Sequence, residues 1–309
     1  MKKIFLLLLT LTLITSCENE PIDPDLVGGT DDGGDDGSES GDLSLQVYEL
    51  DTELTLDFFG FPINTITNSD INIIDDKAVS SVTDLSANGS PFQTENQTYT
   101  RNSSGQITHN ISVTPGGVTT NEYVMTYTAG VVSQITYDYY EDDFEDYTYN
   151  ISYDGNTITR TEVGTSISTV FTLDGFDRII KKESFDGSVL IQSEIVTYNG
   201  AGNINSSVVT GELEHNTTYQ FDDNTNPLQV VYNDNYLLTF LTDEYSDEIG
   251  PVIAQFISTN NWTGAVFDGE TFTFDVVYNS AGRIITRDII YDYAPTVFVE
   301  INERFNYVN

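Results

Sequence analysis

Carboxylates are the one functional group this chain holds in quantity: 49 Asp and Glu against 11 Lys and Arg, with two His and a single Cys. Two runs stand out. Glu141, Asp142, Asp143, Glu145 and Asp146 flank Phe144, while Asp243, Glu244, Asp247 and Glu248 flank Tyr245 and Ser246. Hard oxygen ligands crowded into a flexible turn suit Ca²⁺, the one cofactor these residues suggest. The same runs also suit solvated hairpin tips whose charge keeps one sheet from pairing with another. Two carboxylates about 5–10 Å apart across a cleft would serve a glycosidase. With this many acidic residues, composition selects no such pair.

Other chemistry finds less support. No G-x-S-x-G elbow occurs, and Cys17 is the only thiol. His109 and His215 lie in separate strand-like contexts without H-x-H or H-E-x-x-H spacing, which reads as two surface histidines and argues against zinc or copper. No catalysis is expected. Trp262, the only tryptophan, is the first choice for a ligand-stacking face. Tyr137, Tyr139, Tyr140, Tyr147 and Tyr149 could add sugar platforms, although tyrosine also packs well across strands.

The cysteine has a different reading. Lys2 and Lys3 precede a short apolar run, Ile4 to Leu13, and Ile14-Thr15-Ser16-Cys17 then matches a bacterial lipobox. The run is too short for a mature membrane span, so residues 1–16 read as a removed signal peptide and Cys17 as the lipidated residue. That attaches the chain to an outer membrane by its lipid, facing the cell exterior. With one cysteine, no intramolecular disulfide can form.

Loss of Lys2 and Lys3 leaves 9 basic against 49 acidic side chains, a net charge of −40. Such a surface repels phosphate backbones and anionic headgroups, so nucleic acid is excluded as a partner and membrane attachment must rest on the lipid. Residues 17–42 form an acidic, Gly- and Asp-rich tether with almost nothing to place in a core.

From residue 43 to 309 Tyr, Phe, Ile, Val and Thr alternate with period two, as in Tyr147-Thr148-Tyr149-Asn150-Ile151-Ser152-Tyr153. That predicts half-buried antiparallel strands. Alternate turns at positions 105, 130, 155, 177, 202 and 225 recur every 22 to 25 residues, one hairpin per repeat. The chain is therefore expected to be all-β, a long up-and-down meander of about sixteen strands. A sheet that long should curl into a strongly curved or partly closed barrel. The repeat is interrupted at about residues 241–268, where Ile249 to Phe256 could cover an open sheet edge. A membrane barrel is disfavoured, because Glu122, Glu194 and Asp275 occupy the polar strand faces.

Each repeat carries a short signature. Asn102-Ser103-Ser104-Gly105-Gln106-Ile107, Asn199-Gly200-Ala201-Gly202-Asn203-Ile204 and Asn279-Ser280-Ala281-Gly282-Arg283-Ile284 align on the turn glycine, and in Asp174-Gly175-Phe176-Asp177-Arg178-Ile179 an aspartate takes its place. The signature resembles the YD repeat of Rhs-type proteins. The acidic run Cys17-Glu18-Asn19-Glu20 resembles the export signal of surface lipoproteins in Bacteroidetes. Phe221 to Leu228, then Phe256 to Thr263, then Phe272-Thr273-Phe274 leading into Tyr278-Asn279-Ser280-Ala281-Gly282 follow an order that resembles the C-terminal half of a group of uncharacterised lipoproteins from the same bacteria. The resemblance covers about residues 95–309 and implies an all-β fold and a surface location but no reaction. The expected role is a non-catalytic binding or interaction module with a glycan or protein ligand. A carbohydrate-active hydrolase using paired Asp and Glu, and a structural partner of an envelope or secretion assembly, are the competing readings.

Overall fold

The computed structural model describes residues 44–58, 61–140, 145–293 and 297–308. Alternation becomes strand throughout: β1 (Ser44–Phe58), β2 (Phe61–Ile74), β3 (Lys77–Ala87), β4 (Ser90–Arg101), β5 (Ile107–Val113) and β6 (Thr119–Thr128). Next come β7 (Val131–Tyr139), β8 (Tyr147–Asp154), β9 (Thr157–Glu162), β10 (Ile167–Leu173), β11 (Ile179–Asp186), β12 (Val189–Tyr198) and β13 (Ile204–Gly211). The last are β14 (His215–Thr225), β15 (Asn260–Phe267), β16 (Glu270–Thr273), β17 (Asp275–Tyr278), β18 (Ile284–Tyr293) and β19 (Val297–Val308).

Sequence neighbours pair antiparallel from β1 through β16, and β17 through β19. The ring then returns on itself, because β19 pairs with β1 from Ser44↔Val308 to Leu56↔Val297. The strands β16 and β17 run on as one, interrupted at Phe274; β15 pairs with the first half, β18 with the second, and Phe274 N–H still donates to Thr263 O at 3.0 Å. The result is a nearly closed, barrel-like sheet of nineteen up-and-down strands. Closure answers the problem of a bare edge more directly than the expected cover.

The inner face follows from the alternation. On β19, Val297, Val299, Ile301, Glu303 and Phe305 are buried and the residues between them are not. On β1, Tyr48 and Leu50 are buried, and Leu54 and Leu56 pack against the same core.

The signature turns are one structure repeated. The side-chain Oδ1 of Asn102, Asp174, Asn199 and Asn279 accepts the backbone N–H groups two and four residues on, at 2.8–3.1 Å. This is the local closure that Asn and Asp favour in turns. The fourth position has positive φ, occupied by Gly105, Gly202 and Gly282, and by Asp177 at 61°. The signature isoleucine is anchored from the next strand: Tyr127, Tyr198 and Tyr307 hydroxyls donate to Ile107, Ile179 and Ile284 carbonyls at 2.6–3.0 Å. Because consecutive strands reverse direction, these four turns share one rim with the start of β1 and the end of β19.

The repeat breaks at that rim too, but over residues 226–259 rather than 241–268. Residues 260–267 form an ordinary strand, and the irregular stretch begins earlier, at Asn226. It does not lie over an edge. It turns into the barrel as α1 (Leu228–Asn233), α2 (Tyr236–Leu241), α3 (Gly250–Val252) and a π-helical turn (Ile253–Ile257). Leu228, Phe240, Ile249, Ile253 and Ala254 are fully buried. An apolar insertion that cannot pair as strand is removed from water by filling the lumen, so the stretch is a plug.

Candidate functional site

The plug meets its walls in two ways. Against β9, β11, β12 and β14 it is held by polar side chains that reach inward from the strands. Lys182 Nζ donates to Glu244 O at 2.9 Å and Asp247 O at 2.6 Å. Gln192 Nε2 donates to Ser246 O at 2.9 Å, and Ser184 Oγ to Tyr245 O at 2.6 Å. The Arg160 guanidinium donates to the carbonyls of Leu241 and Asp243. In the opposite sense, the Glu194 carboxylate accepts the N–H groups of Ile249 and Gly250 at 2.6 and 2.9 Å. His215 Nε2 lies 2.7 Å from Glu248 Oε1. The segment has little regular structure, so its backbone groups depend on this clasp for partners.

Burial shapes the electrostatics. It pushes the Glu194 carboxyl up to about 7, assisted by the charge of Glu248 and opposed by the two N–H donors. It pushes Asp243 up to about 7 against the pull of Lys182. Lys182 is held below its usual value by the same desolvation, which the nearby Asp243 only partly offsets. For His215 burial works downward, but the hydrogen bond and charge of Glu248 prevail and raise it.

A second buried anchor fixes the π turn. Arg287 forms a two-pronged ion pair with Glu303, both fully buried. Tyr48 donates to the same carboxylate at 2.5 Å, and Gln255 Nε2 of the plug to it at 3.1 Å. These groups join β18, β19 and β1 to the plug.

The remaining wall stands back. Between β1–β6 and the plug lies a cavity of about 230 Å³. The wall contributes Leu50, Ile71, Ile107 and Met125, and the plug contributes Val231, Leu238, Val252 and Phe256. Gln97, Tyr99, Asn110, Tyr123 and Asp243 add polar groups. Burial pushes Tyr99 and Tyr123 up to about 12, so both keep their hydroxyl protons. At the signature-turn rim Asp234 bridges the plug to the wall through Lys77 and Arg101, partly exposed.

The structure places the sequence-derived candidates as follows. Cys17, Glu141, Asp142 and Asp143 lie outside the described residues. Glu145 is exposed beside that segment, and Asp146 Oδ1 accepts the Tyr139 N–H at 2.7 Å. The second acidic run belongs to the plug: Asp243, Asp247 and Glu248 turn inward to Lys182 and His215, and only Glu244 is exposed. Among the described residues no group of three His, Cys, Asp or Glu is poised to hold a metal. Trp262 is a core residue, its Nε1 donating to Gly264 O at 2.8 Å and its ring edge-on to Phe274. Tyr123, Tyr137, Tyr147 and Tyr149 form a row of ring contacts, Tyr137 stacked on Tyr147 and Tyr149 tilted against Tyr147. Two expectations are corrected. His215 is buried, because the register sets it opposite Val209 on the inner face. Glu194 points into the lumen rather than outward, where the plug's N–H groups meet it. Lys182, Gln192 and Arg160 were not anticipated.

No family model matches the sequence, and no curated protein does. Among solved structures, a porin-like protein from Bacteroides uniformis aligns over 84% of this chain and 96% of its own, at 9% identity and a TM-score of 0.44. A porin-like protein from Bacteroides vulgatus covers 86% and 99%, at 12% identity and a TM-score of 0.24. An outer membrane lipoprotein-sorting protein domain from Vibrio parahaemolyticus covers 84% and 86%, at 10% identity and a TM-score of 0.19. Overlaps this loose leave the functional reading to this chain's own geometry.

Proposed function

We propose that this chain is an outer-membrane lipoprotein, anchored by acyl chains on Cys17, whose plugged barrel stands in water as a non-catalytic binding module facing the cell exterior. One observation carries the reading: the outward face of the described strands is mostly polar, with apolar residues such as Ile195 and Val208 scattered on it, where a membrane-spanning barrel presents a continuous apolar band. On β1 the outward residues are Glu49, Asp51 and Glu53, each beside its neighbours on β19 and β2: Arg304 and Asp70, Asn302 and Asn68, Glu300 and Ile66. On β9 and β10 the outward pairs are Thr161–Ser168, Thr159–Val170 and Thr157–Thr172. A lipid-facing band would have to bury this whole set. The plug argues equally against a pore, since clasp and core fill the lumen. Membrane attachment then rests on the N-terminus, and the acidic tether joins the barrel at the rim of the signature turns.

The test is fractionation of cells expressing the wild type and Cys17→Ala. Wild type in the membrane fraction and a folded, soluble variant would support the reading. A variant that stays in the membrane through carbonate washing would overturn it, because the barrel itself would then be embedded.

A further inference from the structure

Beside the plug the lumen is not closely packed. Interiors pack like organic crystals, and voids this large are few in any domain. Local chemistry does not force the gap, since Ala78, Thr239 and Thr242 on its lining are positions where larger side chains could close it. Asn110 contributes a second sign: its Oδ1 is buried and has no hydrogen-bond partner. A buried acceptor without a donor carries a desolvation penalty, which makes it unusual in a structural role.

Resting on the binding-module reading, we propose that this cavity is the binding site, and that its ligand is a small neutral amphiphile. The ligand has one aromatic ring and an O–H or N–H donor that reaches Asn110. Size sets the first limit. An engineered cavity of about 150 Å³ in another protein takes benzene, so about 230 Å³ admits one ring with a few further atoms. Shape and polarity set the second. Tyr232 and Phe256 stand with ring centroids 4.5 Å apart on the plug side, and Tyr99 and Tyr123 present rings from the wall. An aromatic body suits these faces. Charge sets the third. Arg101 is paired with Asp234, and the charges of Lys182 and Arg160 act on Asp243, so the lining offers an ionic ligand little free counter-charge, although Arg101 Nε and Asp243 Oδ2 also lack hydrogen-bond partners. Access is from the signature-turn rim, where Asn233 and Asp234 are exposed and Arg101, Asn235 and Thr239 are partly so.

Met125 makes the test direct. It lines the cavity, and the full chain has only one other methionine, Met1. With ¹³C-methyl methionine label in the full chain, and Met125→Leu to assign the signal, three probes are titrated: p-cresol, toluene and glucose. The expected result is a saturable shift of the Met125 methyl with p-cresol. Toluene, of similar shape but without the donor, should bind about tenfold more weakly, the size of one lost hydrogen bond. Asn110→Leu should erase that difference, and Ala78→Leu should abolish the shift while the strand-dominated circular dichroism stays unchanged.

No saturable shift with p-cresol, or an undiminished one in Ala78→Leu, would overturn the site. Toluene binding as tightly as p-cresol would overturn the role of Asn110, and binding of glucose alone would overturn the aromatic class. Each failure would leave the fractionation result standing, so the anchored barrel and its ligand site are judged separately.

Discussion

The plug touches two kinds of wall. On the β9–β14 side, charged and amide side chains reach inward and take up its backbone groups, from the Leu241 carbonyl to the Gly250 N–H. On the β1–β6 side the same segment stands off across a cavity, touching mainly through apolar and tyrosine side chains and one rim bridge at Asp234. The clasp and the Arg287–Glu303 anchor position the segment, and the cavity leaves room beside it. A rigid support opposite an open space is how a binding pocket is preorganised.

Removing the clasp should therefore cost far more than altering the cavity. Lys182 is buried, donates to two plug carbonyls, and faces Asp243 and Asp247. Lys182→Met strips both carbonyls of their donor and leaves the carboxylates uncompensated, a loss of roughly 3–5 kcal/mol. We expect a melting temperature lower by roughly 10 °C. A drop within a degree or two would mean that the plug is not held from this side.

Gly250→Ala tests the same contact by shape alone. A Cβ there would lie 2.3 Å from Tyr219 Oη, 2.8 Å from Glu194 Oε1 and 2.9 Å from Ser207 Oγ. Glu194 must retreat from the N–H groups it accepts, at a cost of roughly 2–3 kcal/mol. Chemical denaturation should show the midpoint moving down with an unchanged slope.

The pH dependence has an unusual sign for so acidic a chain. Glu194 and Asp243 sit near 7 in the folded protein, above their ordinary carboxylate values, and His215 is raised as well. The folded state thus holds these protons more tightly than the unfolded chain. For the two carboxyls the contribution is complete below the ordinary carboxylate range and is lost as pH rises through about 7, and for His215 it is complete below the ordinary imidazole value and lost above it. Lys182, held low, works in the opposite sense on the alkaline side. The lowered carboxyls of Asp174 and Asp234 matter only in acid, near and below their ordinary range. We expect the melting temperature to fall by roughly 5 °C between pH 5.5 and 8, and Glu194→Gln to flatten that slope. A temperature that rises over this interval would contradict the assignment of the clasp protons.

The fold was legible where local chemistry decides it. Period-two alternation marked the strands, and the Asn-x-x-Gly signature marked turns that prove to share one hydrogen-bond pattern, down to Asp177 in the glycine's place. The clasp was illegible for a physical reason. Alternation says which residues share a face, but polar side chains are assigned outward unless something inside can receive them. Glu194 meets its partners 55 and 56 residues away, and His215 meets Glu248 after 33. Nothing near Glu194 or His215 in sequence announces a plug. The acidic run at 243–248 was visible, but its carboxylates look like ligands or solvent-facing charge until the buried lysine and histidine opposite them are seen.

The smallest expected effect is the one that separates the two walls most cleanly. Ala78 packs against the core from β3, opposite Ile73 on β2, and lines the cavity. If the space is a packing gap that the plug tolerates, Ala78→Leu fills part of it and removes apolar surface from water, and such substitutions gain roughly 1 kcal/mol. That raises the melting temperature by roughly 2–4 °C. If the β1–β6 wall instead closed tightly on the plug in solution, the added methyl groups would overpack it and stability would fall. The sign alone decides. A rise here, beside the large fall for Lys182→Met, would show a plug held by the clasp with space left open beside the β1–β6 wall.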